Sequence, residues 1–344
     1  MFKQFANKAI YTAGHAFFLL LGWADYRFRG RNSTRSQQAM IYFFCASGGR
    51  FNQWCSEWIS RWHKPLPLFS KKGILGDMSS EAGSAALTQL REKGYVSFSG
   101  ALPVDACDRL MQYALTTPAT VRPMDGEEKS CAPKLALYDS QQPLAVRYDY
   151  APSSLLAQPD VQTLMADPSL LALAESYLQA RPRFDVLSMW WHTAFHTRPD
   201  SEAAQFYHFD LDRLKWLKIF VYLTDVGPQD GPHSFIEGSH QSGGIPQHFL
   251  NRGYVRLSDN EVLRHYGVAC EVRFAAPRGT IIVEDTRGLH KGNPVSGNAR
   301  LVLQLQLSNS LFGADYPKAT IPQERVSALQ ALIGRAADVY KAYL

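Results

Sequence analysis

Residues 205–210 contain the first pair of side chains with an evident chemical use, His208 and Asp210. One position separates them near the end of a predicted strand, so an imidazole and a carboxylate can face the same point. One nitrogen and one oxygen ligand suit a first-row divalent metal better than calcium or magnesium. The pair alone is a weak signal, because most His-x-Asp pairs are surface or capping residues.

His290 lies far downstream, within residues 288–292, and offers a third metal ligand. Two histidines and one carboxylate form the facial triad of non-haem Fe(II) oxygenases, which leaves three coordination positions open for a cosubstrate and dioxygen. We therefore predict that His208, Asp210 and His290 bind a metal and form the catalytic centre.

Arg300 follows ten positions later and begins the strand-like run 300–307. Leucines occupy every second position of this run, so we expect the leucine face to pack on helices and the Arg300 face to line the interior. A buried guanidinium requires an anionic partner, and its planar shape suits a bidentate bond to the distal carboxylate of 2-oxoglutarate. A structural salt bridge is the alternative. A zinc hydrolase would leave Arg300 without a purpose.

Lys218 is a second predicted cofactor-binding residue. It shares a strand face with Phe220 and Tyr222 and stands between Leu217 and Ile219 in an otherwise apolar run. A lysine in this setting could add a positive charge for 2-oxoglutarate or for the substrate. A lysine that extends to solvent from an edge strand is the equal alternative.

The sequence predicts a mainly β protein with flanking helices. Short β-prone runs separated by turns, without helices between them, indicate an antiparallel double-stranded β-helix, or jelly roll. These runs are residues 186–192, 217–223, 280–284 and 300–307. Helices are predicted at residues 81–93, 103–115 and 167–180, with a last amphipathic helix around residues 326–336. Residues 117–143 are predicted to form a long loop of the kind that serves as a lid, and residues 245–268 an insertion between strands.

Composition indicates a globular, cytoplasmic protein. The 344 residues are 46% hydrophobic and 19% charged, which fits a large core. The five cysteines are odd in number and show no Cys-x-x-Cys spacing, so we expect reduced thiols. No segment resembles a nucleic-acid-binding module.

The first 75 residues are predicted to form a basic, aromatic-rich helical extension, with the oxygenase domain at 76–344. Residues 1–72 hold eleven Lys and Arg and two acidic residues, a net charge of +9, whereas the whole chain carries +5. Apolar residues from 2 to 21 recur at helical spacing, and Trp54, Trp58 and Trp62 recur every four positions. We expect either peripheral association with the inner face of an anionic membrane or packing of these side chains on the main domain.

At these motifs the chain resembles the phytanoyl-CoA dioxygenase family of Fe(II)/2-oxoglutarate oxygenases, over roughly residues 85–312. The motifs are KGYV at 93–96, HFD at 208–210, LTDV at 223–226, GP at 231–232, EGSH at 237–240, GT at 279–280, HKG at 290–292, and Arg300. The resemblance implies iron on His208, Asp210 and His290, and 2-oxoglutarate on Arg300. Related halogenases have a small residue in place of the carboxylate, so Asp210 favours oxygen transfer.

The resulting hypothesis is an Fe(II)- and 2-oxoglutarate-dependent dioxygenase that uses dioxygen to hydroxylate a small or amphiphilic metabolite, with a lipid or lipid-linked sugar among the candidates. The alternative is a non-catalytic jelly-roll binding protein that docks on membranes. The substrate is not readable from the sequence, because the loops that shape its pocket have no interpretable pattern.

Overall fold

The computed structural model describes residues 2–122, 134–196, 198–317 and 319–344, with side chains from residue 10 onward. The helices are α1 (Phe2–Arg29), α2 (Thr34–Ser47), α3 (Arg50–Ser60), α4 (Glu81–Lys93), α5 (Val104–Thr116), α6 (Pro152–Leu156), α7 (Pro159–Met165), α8 (Pro168–Leu178), α9 (Gln247–Leu250), α10 (Asp259–Tyr266) and α11 (Ser327–Ala336), and short 3-10 turns span Val268–Cys270 and Ala337–Tyr340. The strands are β1 (Lys72–Gly73), β2 (Gly76–Asp77), β3 (Tyr95–Phe98), β4 (Ala119–Val121), β5 (Leu135–Ala136), β6 (Arg147–Asp149), β7 (Arg183–His192), β8 (Trp216–Tyr222), β9 (His233–Ile236), β10 (Glu271–Phe274), β11 (Ile281–Glu284), β12 (His290–Gly292) and β13 (Arg300–Ser308).

Two antiparallel sheets form the core of the molecule. The larger sheet has the order β3-β11-β8-β13-β7-β6-β4-β5, and the smaller has the order β10-β9-β12. Residues 207–208 extend the smaller sheet beside β12, because His208 and His290 exchange backbone hydrogen bonds. From β7 to β13 the chain therefore contributes four strands to each sheet, ordered β7-β13-β8-β11 and 207–208-β12-β9-β10. This order is that of the predicted jelly roll, which is confirmed.

The alternation predicted for residues 300–307 separates two apolar layers. Leu301, Leu303, Leu305 and Leu307 belong to the main core, together with buried residues of α4, α5, α8 and α11. Val302 points the other way, into an apolar layer to which both sheets contribute. The leucine face thus packs on helices and the opposite face lines the interior, as the pattern predicted.

The flanking helices form near the predicted positions, and capping residues fix the ends of two of them, α4 and α8. The Ser80 side chain accepts a hydrogen bond from Gly83 N at the start of α4, and Gly94 ends that helix with φ 93°. The Asp167 carboxylate caps α8 in the same way. The prediction of one long loop at 117–143 is wrong in part, because β4 and β5 lie within it. Strands of two or three residues are too short to show a period, and the remainder, 123–133, lies outside the described residues.

The three N-terminal helices attach to the jelly roll through specific contacts. Asn32 Nδ2 donates to the carbonyl of Leu311 at 2.8 Å, and Asn52 Nδ2 donates to that of Leu214 at 3.2 Å. The ring of Trp23 lies 5.1 Å from that of Phe312. The boundary near residue 75 stays a prediction, since none of these contacts tests independent folding.

A buried ion pair fixes the chain just beyond the HFD motif. Arg213 donates to both oxygens of Asp185, at 2.6 and 2.5 Å, and Asp185 also accepts from Gln306 and Ser308 of β13. Removing one partner of a buried pair leaves an uncompensated charge. We therefore expect Asp185→Ala to lower the free energy of unfolding by about 3–5 kcal/mol in urea titrations.

The matched control is Asp108→Ala, because Asp108 pairs with Arg278 at the surface. This change should cost less than about 1 kcal/mol. Similar losses for the two variants would show that the Asp185 pair does not anchor the segment.

Candidate metal centre

Backbone hydrogen bonds bring the three predicted metal ligands together. His208 N donates to His290 O at 3.0 Å, and His290 N donates to His208 O at 2.9 Å. Asp210 N donates to Thr286 O at 2.8 Å, on the turn that leads into β12. Two distant parts of the sequence, residues 208–210 and 286–290, are thereby held side by side at one end of the smaller sheet.

The ligand atoms of the three side chains have the spacing that a metal ion needs. His208 Nε2 lies 3.8 Å from Asp210 Oδ1, and His290 Nε2 lies 3.3 Å from Asp210 Oδ2. All three ligand atoms lie within 4.8 Å of one another. An ion about 2.0–2.2 Å from each ligand would separate neighbouring ligands by about 3 Å. His208, Asp210 and His290 therefore fit a divalent metal with little rearrangement.

Both imidazoles present the correct nitrogen to the site. His208 Nδ1 lies 2.9 Å from the Phe206 carbonyl and His290 Nδ1 lies 3.0 Å from the Gly288 carbonyl, so each Nδ1 donates its hydrogen and each Nε2 keeps a free lone pair. Burial, reinforced by the neighbouring His290, lowers the pKa of His208 well below 6.5. The neutral imidazole is the form that binds a metal.

Lys218 contacts a metal ligand directly. Its Nζ donates to Asp210 Oδ2 at 2.5 Å and lies 3.9 Å from Asp212 Oδ2. Burial alone would raise the pKa of Asp210, but the charge of Lys218 holds that pKa well below its ordinary value. Because β8 lies between β11 and β13, Lys218 is not on an edge strand. A role of Lys218 in binding 2-oxoglutarate stays a prediction.

Arg300 lies on the interior face of the larger sheet and has no carboxylate partner among the described residues. It is buried, and one terminal nitrogen donates to His192 Nδ1 at 2.7 Å while the other donates to the Gly231 carbonyl. Its Nε has no hydrogen-bond partner. Burial lowers the pKa of the Arg300 guanidinium from its ordinary value. A buried cation with a free donor is suited to an anionic ligand.

His192 stays neutral beside this arginine. Burial, and then the charge of Arg300, lower the pKa of His192 well below 6.5. Its Nδ1 can therefore accept the hydrogen bond from Arg300, while Nε2 is buried without a partner. His192 therefore supports Arg300 from the neighbouring strand β7.

The structure adds a buried acid–base pair that sequence reasoning missed. Glu284 Oε2 lies 2.9 Å from His233 Nε2, and the His233 ring lies 5.7 Å from that of His290. Burial raises the pKa of Glu284 to about 8 and lowers that of His233 to about 3. Glu284 also lies directly opposite Lys218 in the sheet. Glu284 lies on the larger sheet and His233 on the smaller one, so the packing of the two sheets brings them together. The sequence does not reveal this packing.

Within the described residues, none of the helices combines the length and the apolar character needed to cross a membrane. The four described cysteines form no disulfide, consistent with the expected thiols.

Comparison with known proteins yields structural similarity only. No family model matches the chain, and no curated protein matches its sequence. The non-heme alpha-ketoglutarate-dependent epimerase SnoN from nogalamycin biosynthesis is 18% identical, with a TM-score of 0.47 over 66% of this chain and 83% of that one. HygX from Streptomyces hygroscopicus, solved with nickel and 2-oxoglutarate bound, is 15% identical, with a TM-score of 0.48 over 72% and 93%.

EctD from S. alaskensis, solved in its apoform, is 18% identical, with a TM-score of 0.45 over 74% of this chain and 85% of that one. The similarity to all three is low, whereas the strand order of this chain is by itself that of a jelly roll. The resemblance to the phytanoyl-CoA dioxygenase family stays a prediction.

Proposed function

We propose that this protein is an Fe(II)- and 2-oxoglutarate-dependent dioxygenase that hydroxylates a small or amphiphilic metabolite. One observation carries the proposal: a two-histidine, one-carboxylate cluster belongs to the same jelly roll as a buried arginine with no carboxylate partner among the described residues. The triad leaves coordination positions free for a cosubstrate and dioxygen. Arg300 supplies the cation that the distal carboxylate of 2-oxoglutarate requires.

Each residue has a definite task in this proposal. His208, Asp210 and His290 would hold the iron, and Arg300 would orient 2-oxoglutarate through its distal carboxylate. When bound, iron, 2-oxoglutarate and dioxygen supply the oxidising power that replaces a C–H bond of the substrate with C–OH. Lys218 fixes the orientation of the Asp210 carboxylate through their ion pair. The apolar layer between the sheets keeps the interior dry.

Anaerobic titration tests this proposal. Fe(II) and 2-oxoglutarate added together should produce the weak visible charge-transfer band of the chelate, and admission of air with the substrate should release succinate. A panel of lipids, lipid-linked sugars, amino acids and acyl thioesters would then identify the substrate class. If no band forms and no succinate appears, the non-catalytic binding protein becomes the better hypothesis.

We propose in addition that the N-terminal helices attach the protein to anionic membrane. The outer face of α1 exposes apolar side chains at helical spacing, with Ile10 71%, Leu20 70% and Phe28 85% exposed. Gly22, by contrast, is buried against α2. An exposed apolar stripe flanked by arginines is typical of a helix that lies in a membrane interface.

Trp54, Trp58 and Trp62 expose further apolar surface in the N-terminal extension. Trp54 is 62% and Trp62 75% exposed, so these side chains are not core. α3 ends at Ser60, so Trp62 follows the helix instead of extending its stripe. Trp58, 43% exposed, lies 6.1 Å from Trp23, on the side of α1 that packs on Phe312. Exposed indoles beside basic residues favour a membrane interface.

Co-sedimentation with phosphatidylglycerol vesicles tests this attachment on the full chain. The variant Phe17→Glu/Leu20→Glu should lose most of its binding, because both side chains are exposed on the α1 stripe. Each basic residue near the surface contributes on the order of 1 kcal/mol, so 1 M salt should weaken but not abolish wild-type binding.

The matched control is Val268→Glu, which changes an equally exposed apolar residue outside the N-terminal helices. It should sediment like the wild type. Equal sedimentation of all three proteins would show that the stripe on α1 is not the membrane contact.

A further inference from the structure

Backbone pairing places one further arginine beside the metal centre. Tyr207 N donates to Leu257 O at 3.0 Å and Leu257 N donates to Tyr207 O at 2.8 Å, so the two segments run antiparallel. In such a pair the neighbouring residues, His208 and Arg256, also lie opposite each other and share the other face. Tyr207 and Leu257 are buried in an apolar cluster. Arg256 therefore lies on the face that carries the metal ligand.

A second residue of the same segment reaches the metal ligands. Tyr254 Oη lies 3.5 Å from Asp210 Oδ1. Tyr254 and Arg256 are two positions apart, so they share a face of the extended chain. The contact of Tyr254 thus supports the placement of Arg256 over the triad. Both residues come from the predicted insertion at 245–268.

Arg256 lacks an anionic partner within the part of the chain that the structure describes. Its Nη1 is buried and has no hydrogen-bond partner, and none of the described carboxylates forms an ion pair with it. Arg213 and Arg287 are buried and pair with Asp185 and Asp285. Arg256 is partly buried and, like Arg300, has no such partner among the described residues. A buried donor without a partner costs free energy unless a ligand satisfies it.

The charges around the metal also leave a positive excess. Lys218, Arg256 and Arg300 contribute three positive charges, and Asp210 and Asp212 contribute two negative charges. Glu284, opposite Lys218, adds no full negative charge at neutral pH, because burial raises its pKa to about 8. The two positive charges of a divalent metal and the two negative charges of 2-oxoglutarate cancel. With Arg300 assigned to the distal carboxylate of 2-oxoglutarate and Lys218 to Asp210, the uncompensated charge is that of Arg256.

We infer that Arg256 binds an anionic group of the substrate, a carboxylate or a phosphate, beside the metal. This inference rests on the proposed function and narrows its substrate class to acidic metabolites. The guanidinium would anchor the acidic group at the rim of the triad, so that a C–H bond near that group faces the metal. Arg256 is then a specificity-determining residue, separate from the cosubstrate site at Arg300.

Calorimetry on the protein loaded with Ni(II) and 2-oxoglutarate tests this inference without turnover. Hexanoate and hexyl phosphate are the probes, and neutral hexanol is the uncharged comparison. We expect at least one of the anions to bind the wild type and hexanol to bind more weakly. Arg256→Met should weaken the anion about 30-fold or more, because it removes a charged partner, and Arg256→Lys should recover part of the loss.

The matched control is Arg252→Met, in the same insertion, because Arg252 is already paired with Glu261 at the surface. It should bind the anions like the wild type. Failure of Ni(II) and 2-oxoglutarate to load would contradict the proposed function itself. Normal loading with anion binding that is absent, or unchanged in Arg256→Met, would overturn the role of Arg256. Weaker 2-oxoglutarate binding in Arg256→Met would instead make Arg256 a cosubstrate ligand and would also overturn the inference.

Discussion

His208→Ala should reduce metal binding and succinate production to background while the protein remains folded. The side chain is held by one hydrogen bond, from Nδ1 to the Phe206 carbonyl, so its loss costs little packing. Two remaining ligands cannot hold a first-row metal in the geometry of the facial triad. Calorimetric titration with Fe(II) under anaerobic conditions measures the metal, and a succinate assay measures turnover.

The control for this variant is His240→Ala. His240 is also buried, but it bonds the Arg91 carbonyl, and it is not one of the three clustered metal ligands. It should bind metal normally, and circular dichroism should show both variants folded at room temperature. Asp210→Ala should behave like His208→Ala, with an added loss of stability because Lys218 loses its closest partner. Normal succinate production by His208→Ala or by Asp210→Ala would rule out the metal assignment.

The two-residue alternation of apolar side chains at 300–307 was sufficient to predict which residues of that strand face the interior. A strand alternates its side chains strictly, so the leucines at 301–307 locate the helix-packed face and assign Arg300 to the other. The same reasoning places His208 and Asp210 on one side of the chain. These inferences need only local geometry, and the structure agrees with them.

Cross-strand partners could not be predicted, because they depend on register between segments far apart in sequence. The position of Arg256 opposite His208 follows from this register. The Lys218–Asp210 and Glu284–His233 pairs depend in addition on how the larger sheet packs on the smaller one. A shift of one residue would turn each side chain to the other face. The two-residue segment 207–208 pairs with β12 and is too short to show a period. The three metal ligands could therefore be predicted from the sequence, but the pairing of the charged residues around them could not.

The variant Arg300→Ala removes the positive charge that we assign to 2-oxoglutarate, so we expect a large loss of 2-oxoglutarate affinity. The variant should bind Fe(II) normally but need roughly 30- to several-thousand-fold more 2-oxoglutarate, since truncating a buried charged partner typically costs about 2–5 kcal/mol. Arg300→Lys should recover little, because an ammonium cannot form the bidentate contact. Titration of the charge-transfer band measures this requirement. Arg147→Lys is the matched control: Arg147 lies opposite His192 on β6 and is already paired with Asp149. An unchanged requirement in Arg300→Ala would place the cosubstrate elsewhere, and Lys218 would then be the first residue to test.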